Sequence, residues 1–136
     1  MKAMGIDFGL ARIGVAFSDD TKVLASPHKT YHRKNLQDDI QYFCNLITEQ
    51  KVDEIVCGLP MNMMGQEQEI AQKTRAFMAE LTAKTAISVN FVDERLSSVM
   101  AEEFLKQTER DWKKRKEKLD SVSASIILQD YLDLRR

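Results

Sequence analysis

Acidic residues stand at three places where apolar runs of the sequence begin or end. Asp7 closes "KAMGID", Asp93 and Glu94 close "AISVNFVDE", and Asp120 opens the last helical pattern. An ionised carboxylate beside a buried strand is costly unless it is paired or binds a cation. Mg²⁺ and Mn²⁺ prefer carboxylate oxygens, and two such ions can support phosphodiester cleavage. The pattern therefore favours a hydrolytic metal site.

Two of these acids also have an ordinary structural interpretation. Asp7 could form a salt bridge with Arg12 across the following turn, and Asp120 could cap the last helix. The spacing favours an inward orientation for Asp120, because Ser123 and Ala124 follow it at intervals of three and four residues. That face carries small residues and must meet the sheet, so we expect the Asp120 carboxylate near the strands.

Periodicity also predicts the elements that must position these acids. Alternating runs predict three strands near residues 2–32, and Pro27 marks the third as an edge strand. Helical spacing then alternates with two further strands, in the order β-β-β-α-β-α-β-α-α. We expect an α/β fold with a five-stranded mixed sheet, three antiparallel strands then two parallel ones, and helices on both faces.

Length and composition limit the classes of protein that fit. The chain has 136 residues, of which 43% are hydrophobic, and a formal net charge of −1. We expect a single domain over residues 1–136. No apolar run is long enough to span a bilayer, so we expect a cytoplasmic protein with no membrane partner. The net charge does not indicate nucleic-acid binding, but the distribution of charge can.

The segment "TERDWKKRKEK" concentrates positive charge around the only tryptophan. It has no apolar period, which predicts a mobile loop before a last helix that begins near Leu119. A solvated loop is the ordinary interpretation. An aromatic ring among cations can instead stack on bases and follow phosphates. We therefore expect nucleic-acid contacts from Trp112, Lys113, Lys114 and Lys116.

Two glycine-containing segments lie at the ends of predicted strands. The loop in "GLPMNMMGQE" precedes a helix N-terminus that could hold a phosphate, and Asn62 lies within it. An ordinary connection explains this loop equally well, and we expect its methionines to pack in the interior. Gly9 follows Asp7 closely and would let a backbone or a phosphate approach.

Four blocks of the chain resemble the YqgF/RuvX-like family in family order. They are "GIDFGLARIGVAFSD", "VCGLPMNMMGQE", "FVDERLSSVMAEEFL" and "KLDSVSASIILQDYLD", and they cover nearly the whole sequence. The family has a ribonuclease H-like fold, and its members are described as pre-16S rRNA nucleases and as Holliday junction resolvases. The resemblance implies that Asp7, Glu94 and Asp120 are catalytic, metal-binding acids, with Asp93 as a further metal candidate.

The expected function is a metal-dependent nuclease that uses Mg²⁺ or Mn²⁺, with two ions, to process the 5′ end of pre-16S rRNA. The alternatives are a Holliday junction resolvase that cleaves branched DNA and a non-catalytic nucleic-acid-binding module. The expected partner is structured RNA or branched DNA. Whether the protein forms a homodimer is left undecided. The stretch "IDFG" also resembles the first phosphate loop of a sugar-kinase or actin-like ATPase, but 136 residues cannot supply the second lobe that such an enzyme closes on ATP. The expected substrate contacts are Gly9, Arg12, Asn62, Arg95, Trp112, Lys113, Lys114 and Lys116.

Overall fold

The computed structural model describes residues 1–94 and 97–135. Its five-stranded sheet has the order β3-β2-β1-β4-β5. The strands are β1 (Lys2–Phe8), β2 (Arg12–Ser18), β3 (Ala25–His32), β4 (Val52–Leu59) and β5 (Val89–Asp93). The first three strands pair antiparallel, and β4 and β5 continue the sheet parallel to β1. The predicted sheet is confirmed, and β3, which contains Pro27, lies at its edge.

Among the described residues, four helices pack on the sheet or on one another. They are α1 (Leu36–Gln50), α2 (Glu69–Thr85), α3 (Ser97–Thr108) and α4 (Trp112–Leu134). Helices α1 and α2 bury their apolar sides against one face, α4 packs on the other, and α3 packs on α4. Within residues 1–94 and 97–135, no helix combines the length and apolar character needed to cross a membrane.

Helix α4 begins at Trp112 and not near Leu119, so the predicted loop is wrong. The Asp111 side chain accepts a hydrogen bond from the Lys113 N–H at 2.9 Å and caps the helix. Lysine, arginine and glutamate are good helix formers, so these first turns are stable without a buried stripe. A 3.0 Å ion pair from Lys118 to Glu109 links them to the preceding connection.

Glycines on the three central strands let α4 lie directly against the sheet. A Cβ atom at Gly14 of β2 would overlap the backbone carbonyl of Asp120. A Cβ atom at Gly5 of β1 would lie 2.8 Å from the carbonyl oxygen of Ala124. A methyl group at either glycine would be closer to the helix than van der Waals contact allows, so α4 approaches the sheet as closely as its backbone permits. This close approach brings Asp120 to the sheet.

We predict that Gly14→Ala lowers the free energy of unfolding by about 1–3 kcal/mol or more. The added methyl group would meet a helix carbonyl, which cannot move aside as a flexible side chain can. Urea unfolding measures this difference. Ala16→Gly, on the same strand and beside the same helix, is the comparison variant, because it removes a methyl group and adds no clash. A Gly14→Ala protein as stable as the wild type would contradict the close contact.

Candidate active site at the carboxyl end of the sheet

Asp7 and Glu94 meet across the strand that separates them. Asp7 lies near the carboxyl end of β1 and Glu94 directly follows β5, so both parallel strands deliver their acids to one edge of the sheet. Strand β4 lies between them, and there Gly58 leaves room for the Glu94 side chain. A Cβ atom at Gly58 would lie 2.5 Å from Glu94 Oε2. The two carboxyl groups are joined by a side-chain hydrogen bond.

Burial and nearby negative charge raise the pKa of both carboxyl groups. Burial raises the pKa of Asp7 to about 6, helped by the negative charge of Asp120, while the hydrogen bond from Glu94 opposes the rise. Burial also raises the pKa of Glu94 to about 9, and the charges of Asp7 and Asp93 contribute. The two carboxyl groups titrate together, and burial keeps both pKa values above the ordinary range. The pair therefore shares one proton at neutral pH.

Asp120 approaches this pair from α4 but hydrogen-bonds to Arg12. The Arg12 Nε–H donates to Asp120 Oδ2 at 2.8 Å. Asp120 is the ninth residue of α4, so it does not cap the helix. Arg12 pairs with Asp120 and not with Asp7, and Asp111 caps α4, so neither of the two ordinary interpretations describes these acids. The face that carries Ser123 and Ala124 is completely buried, and the Cβ atom of Asp120 lies 2.9 Å from a Cβ atom placed at Gly14 of β2.

The donor chemistry of the cluster suits a hard divalent cation. Carboxylate oxygens are the preferred ligands, and a cation would offset the burial and the negative charge that raise both pKa values. Across residues 1–94 and 97–135, however, no three potential ligand side chains lie close enough together to hold a metal ion. Asp7 and Glu94 form the assembled part of the site. A third carboxylate ligand could come from Asp120, whose Oδ2 accepts the hydrogen bond from Arg12.

The residues predicted to bind substrate fall into separate groups. Arg12 lies beside the acids, whereas Gly9 is needed by the turn itself, since a Cβ atom there would lie 2.6 Å from the Arg12 carbonyl oxygen. Arg95 lies outside the described residues. Trp112 is 61% exposed on the first turn of α4, and the three lysines near it are also exposed.

The β4–α2 loop is closed by its own side chains. Asn62 Oδ1 accepts hydrogen bonds from the N–H groups of Met64 and Gln66 at 3.0 and 2.9 Å. The Asn62 side chain therefore shapes the loop, and its contact with substrate stays a prediction. The prediction that the loop methionines pack in the interior is wrong for two of them, because Met63 and Met64 are 76% and 81% exposed.

A buried ion pair that the sequence prediction missed supports the turn after Asp7. Asp39 is completely buried and accepts hydrogen bonds from Arg33 Nε at 2.9 Å and from the Tyr31 hydroxyl at 2.8 Å. The Arg33 guanidinium also approaches the carbonyl oxygens of Gly9 and Leu10, at 3.4 and 3.5 Å. One signal was available: Asp39 is followed four residues later by Phe43, on the apolar side of α1.

The chain shares its fold with solved structures of DNA-junction resolvases. Superposition on RuvC of T. thermophilus in complex with a Holliday junction substrate gives a TM-score of 0.64 at 10% identity, covering 99% of this chain and 95% of that one. The fowlpox virus resolvase, solved with Holliday junction DNA, gives 0.59 at 12% identity and covers 99% of both chains. At such low identity the likeness shows the fold alone, which is ribonuclease H-like.

Sequence comparison narrows this class to one family. A family model named RuvX and described as "Holliday junction resolvase" matches residues 1–134, and the chain belongs to this family. A "Putative pre-16S rRNA nuclease" of Syntrophomonas wolfei subsp. wolfei is 44% identical over 133 residues, covering 98% of this chain and 94% of the relative. A relative of the same name from Halothermothrix orenii is 42% identical, with 98% and 95% covered. The chain is accordingly a hydrolase of the nuclease class.

We predict that the metal-free protein loses thermal stability as pH rises. Both folded-state pKa values lie above the ordinary values of 3.8 and 4.5. The stabilising contribution is therefore complete below those values and is lost as pH rises through about 6 for Asp7 and about 9 for Glu94. Melting temperatures measured in a chelator between pH 5 and 9.5, in steps of roughly half a unit, report this loss.

Glu94→Gln should flatten this pH dependence, because glutamine can donate to Asp7 and cannot ionise. Glu103→Gln, an exposed acid on α3, is the control and should leave the slope unchanged. An equally steep loss of stability in Glu94→Gln would mean that the carboxyl pair does not cause it.

Proposed function

We propose that this chain is a metal-dependent nuclease that hydrolyses phosphodiester bonds at Asp7, Glu94 and Asp120 and processes the 5′ end of pre-16S rRNA. The observation that carries the proposal is the hydrogen-bonded Asp7–Glu94 pair, with Asp120 facing it from α4. The names of relatives with up to 44% identity support the substrate.

The three acids would hold Mg²⁺ or Mn²⁺, with Asp93 as a further candidate ligand. Two bound ions would supply an activated water and stabilise the leaving oxygen. Glu94 would have to lose its proton when the acids bind a metal ion, because the carboxyl pair shares one proton in the metal-free protein. Arg12 would orient Asp120 until the carboxylate turns toward the pair. In the reaction, water attacks phosphorus, one P–O bond breaks, and the leaving oxygen takes up a proton.

Cleavage of branched DNA is a second candidate, favoured by the family description "Holliday junction resolvase". A resolvase has to cut two strands at related positions, so it should act as a symmetric dimer. Incubating the purified protein with Mg²⁺ or Mn²⁺ on precursor rRNA and on a four-way DNA junction, side by side, distinguishes the two substrates. Binding without cleavage of either substrate would favour the non-catalytic module.

The first turns of α4 are the proposed surface for the nucleic-acid backbone. Because these turns are helical, Trp112, Lys116 and Asp120 recur at intervals of four residues and lie on one side of the helix. Lys113 and Lys114 extend the positive charge across the same exposed turns. A strand whose phosphates follow this surface would be led toward the acids.

We predict that Asp7→Asn, Glu94→Gln and Asp120→Asn each abolish cleavage and that combining them adds little. Ligands of one metal centre act as a unit, so their losses are not additive. Asp7→Asn should also keep or raise the metal-free melting temperature, because it removes one charge from a crowded group. The measurements are single-turnover rates and melting temperatures.

Asp130→Asn, an exposed acid on the same helix, is the control for these substitutions and should cleave normally. A folded Asp7→Asn protein with full metal-dependent activity would remove Asp7 from the site. Losses that multiply across the three positions would indicate that the acids do not share one centre.

We also predict that the lysines of α4 bind phosphates and do no chemistry. Log affinity should fall linearly with log salt, and each lost phosphate contact should reduce the slope by roughly 0.7 on single strands and about 0.9 on duplex. Lys116→Ala should show this reduction, whereas Lys84→Ala, an exposed lysine on α2, should not. Turnover at saturating substrate should change much less than affinity. Equal slopes for the two variants would contradict the assignment.

A further inference from the structure

A cavity beside the acids lies between α4 and the edge of the sheet. Its volume is about 290 Å³, and its walls include Arg12, Thr30, His32, Trp112, Lys113 and Lys116. Such a volume is at the small end of ligand pockets, which span roughly 300–1,000 Å³. We propose that this cavity binds one unpaired nucleotide of the substrate strand, with its base stacked on Trp112. This inference rests on the proposed function, because it takes the ligand to be nucleic acid.

The walls of the cavity are held in place by contacts between separate elements. Arg12 of β2 and His32 of β3 are direct partners in the antiparallel register. The Thr30 hydroxyl donates to the backbone carbonyl of Glu117 at 2.8 Å and joins β3 to α4. The space between strand and helix is therefore a built feature of the fold, and it does not depend on one flexible side chain.

The charge of the cavity suits an anionic ligand. Arg12, Lys113 and Lys116 contribute three cations to its walls, and Glu117 contributes the one acid among the described wall residues. Arg12 shares its charge with Asp120, whereas Lys113 and Lys116 are exposed to solvent. A nucleotide offers a phosphate to these cations and a flat base to the indole.

Trp112 gives the cavity its selectivity. The side chain is 61% exposed, and it forms a wall of this cavity and of a second cavity of about 280 Å³ toward α3. An indole ring that is open on both sides can stack on a base, and such stacking is worth about 1–3 kcal/mol. A base inside a duplex is already stacked on its neighbours, so only an unpaired base can present its face to Trp112.

The position of the cavity places this nucleotide near the scissile bond. Arg12 connects the cavity to the acids. It lines the cavity, and its Nε lies 2.8 Å from Asp120 Oδ2. Trp112 lies eight residues before Asp120 on α4, which is roughly 12 Å along the helix axis. At about 3.4 Å per nucleotide, the bound nucleotide would be a few positions from the cleaved phosphate. The enzyme would then prefer strands with an unpaired segment beside the cut.

The single tryptophan allows a direct test that needs no catalysis. The full chain, in a chelator, is titrated with a single-stranded RNA of roughly ten nucleotides, with the same strand in a perfect duplex, and with a single strand of abasic nucleotides. We expect the tryptophan fluorescence to be quenched by the single strand and unchanged by the abasic strand. The duplex should bind without quenching.

Substitutions at Trp112 complete the test. Trp112→Ala should weaken binding of the single strand roughly 5- to 150-fold, whereas Trp112→Phe should retain most of the affinity. Phe104→Ala removes another exposed aromatic ring, on α3 and outside this cavity, and should have no effect. Circular dichroism checks that each variant folds.

Two outcomes would overturn the inference: equal quenching by the duplex and the single strand, or unchanged affinity in a folded Trp112→Ala protein. Failure of the proposed function looks different, because the quenching would remain selective while no cleavage occurs with Mg²⁺ or Mn²⁺. The pocket and the catalytic assignment can therefore be tested separately on the same preparation.

Discussion

The contact between α4 and the glycine-bearing face of the sheet is the constraint on which the site depends. Gly14 lets the helix backbone at Asp120 touch β2, and Gly58 opens β4 so that Glu94 can reach Asp7. A methyl group at either glycine would push apart the groups that the site has to bring together. Gly14 therefore allows the helix contact, and Gly58 allows the contact between the two acids.

Gathering these acids costs stability, and the surrounding contacts limit that cost. One proton shared between Asp7 and Glu94 removes a buried charge, and Arg12 neutralises Asp120. On the other side of the turn, the buried Arg33–Asp39 pair holds the backbone that follows Asp7. Binding a cation at the acids would replace the proton and the arginine with one stronger charge, which links metal binding to the local arrangement of side chains.

The strands, their order and the inward face of α4 could be predicted from the sequence, because burial imposes a period of two or of about 3.6 residues. The beginning of α4 could not, since the turns around Trp112 are exposed and need no apolar period. The sequence around Arg12 also does not reveal its ion-pair partner, because Asp120 is more than a hundred residues away in the chain. Sequence reasoning placed the three acids at one end of the sheet, but not their hydrogen bonds.

The long separation between the acids also governs when the site can exist during protein synthesis. Asp120 is translated more than a hundred residues after Asp7, on the helix that packs over the sheet. A nascent chain that has formed only the five strands carries the carboxyl pair without its third acid. Contacts between such distant segments form slowly compared with local ones. Docking of α4 therefore completes the set of acids, and nascent chains that end before Asp120 lack it.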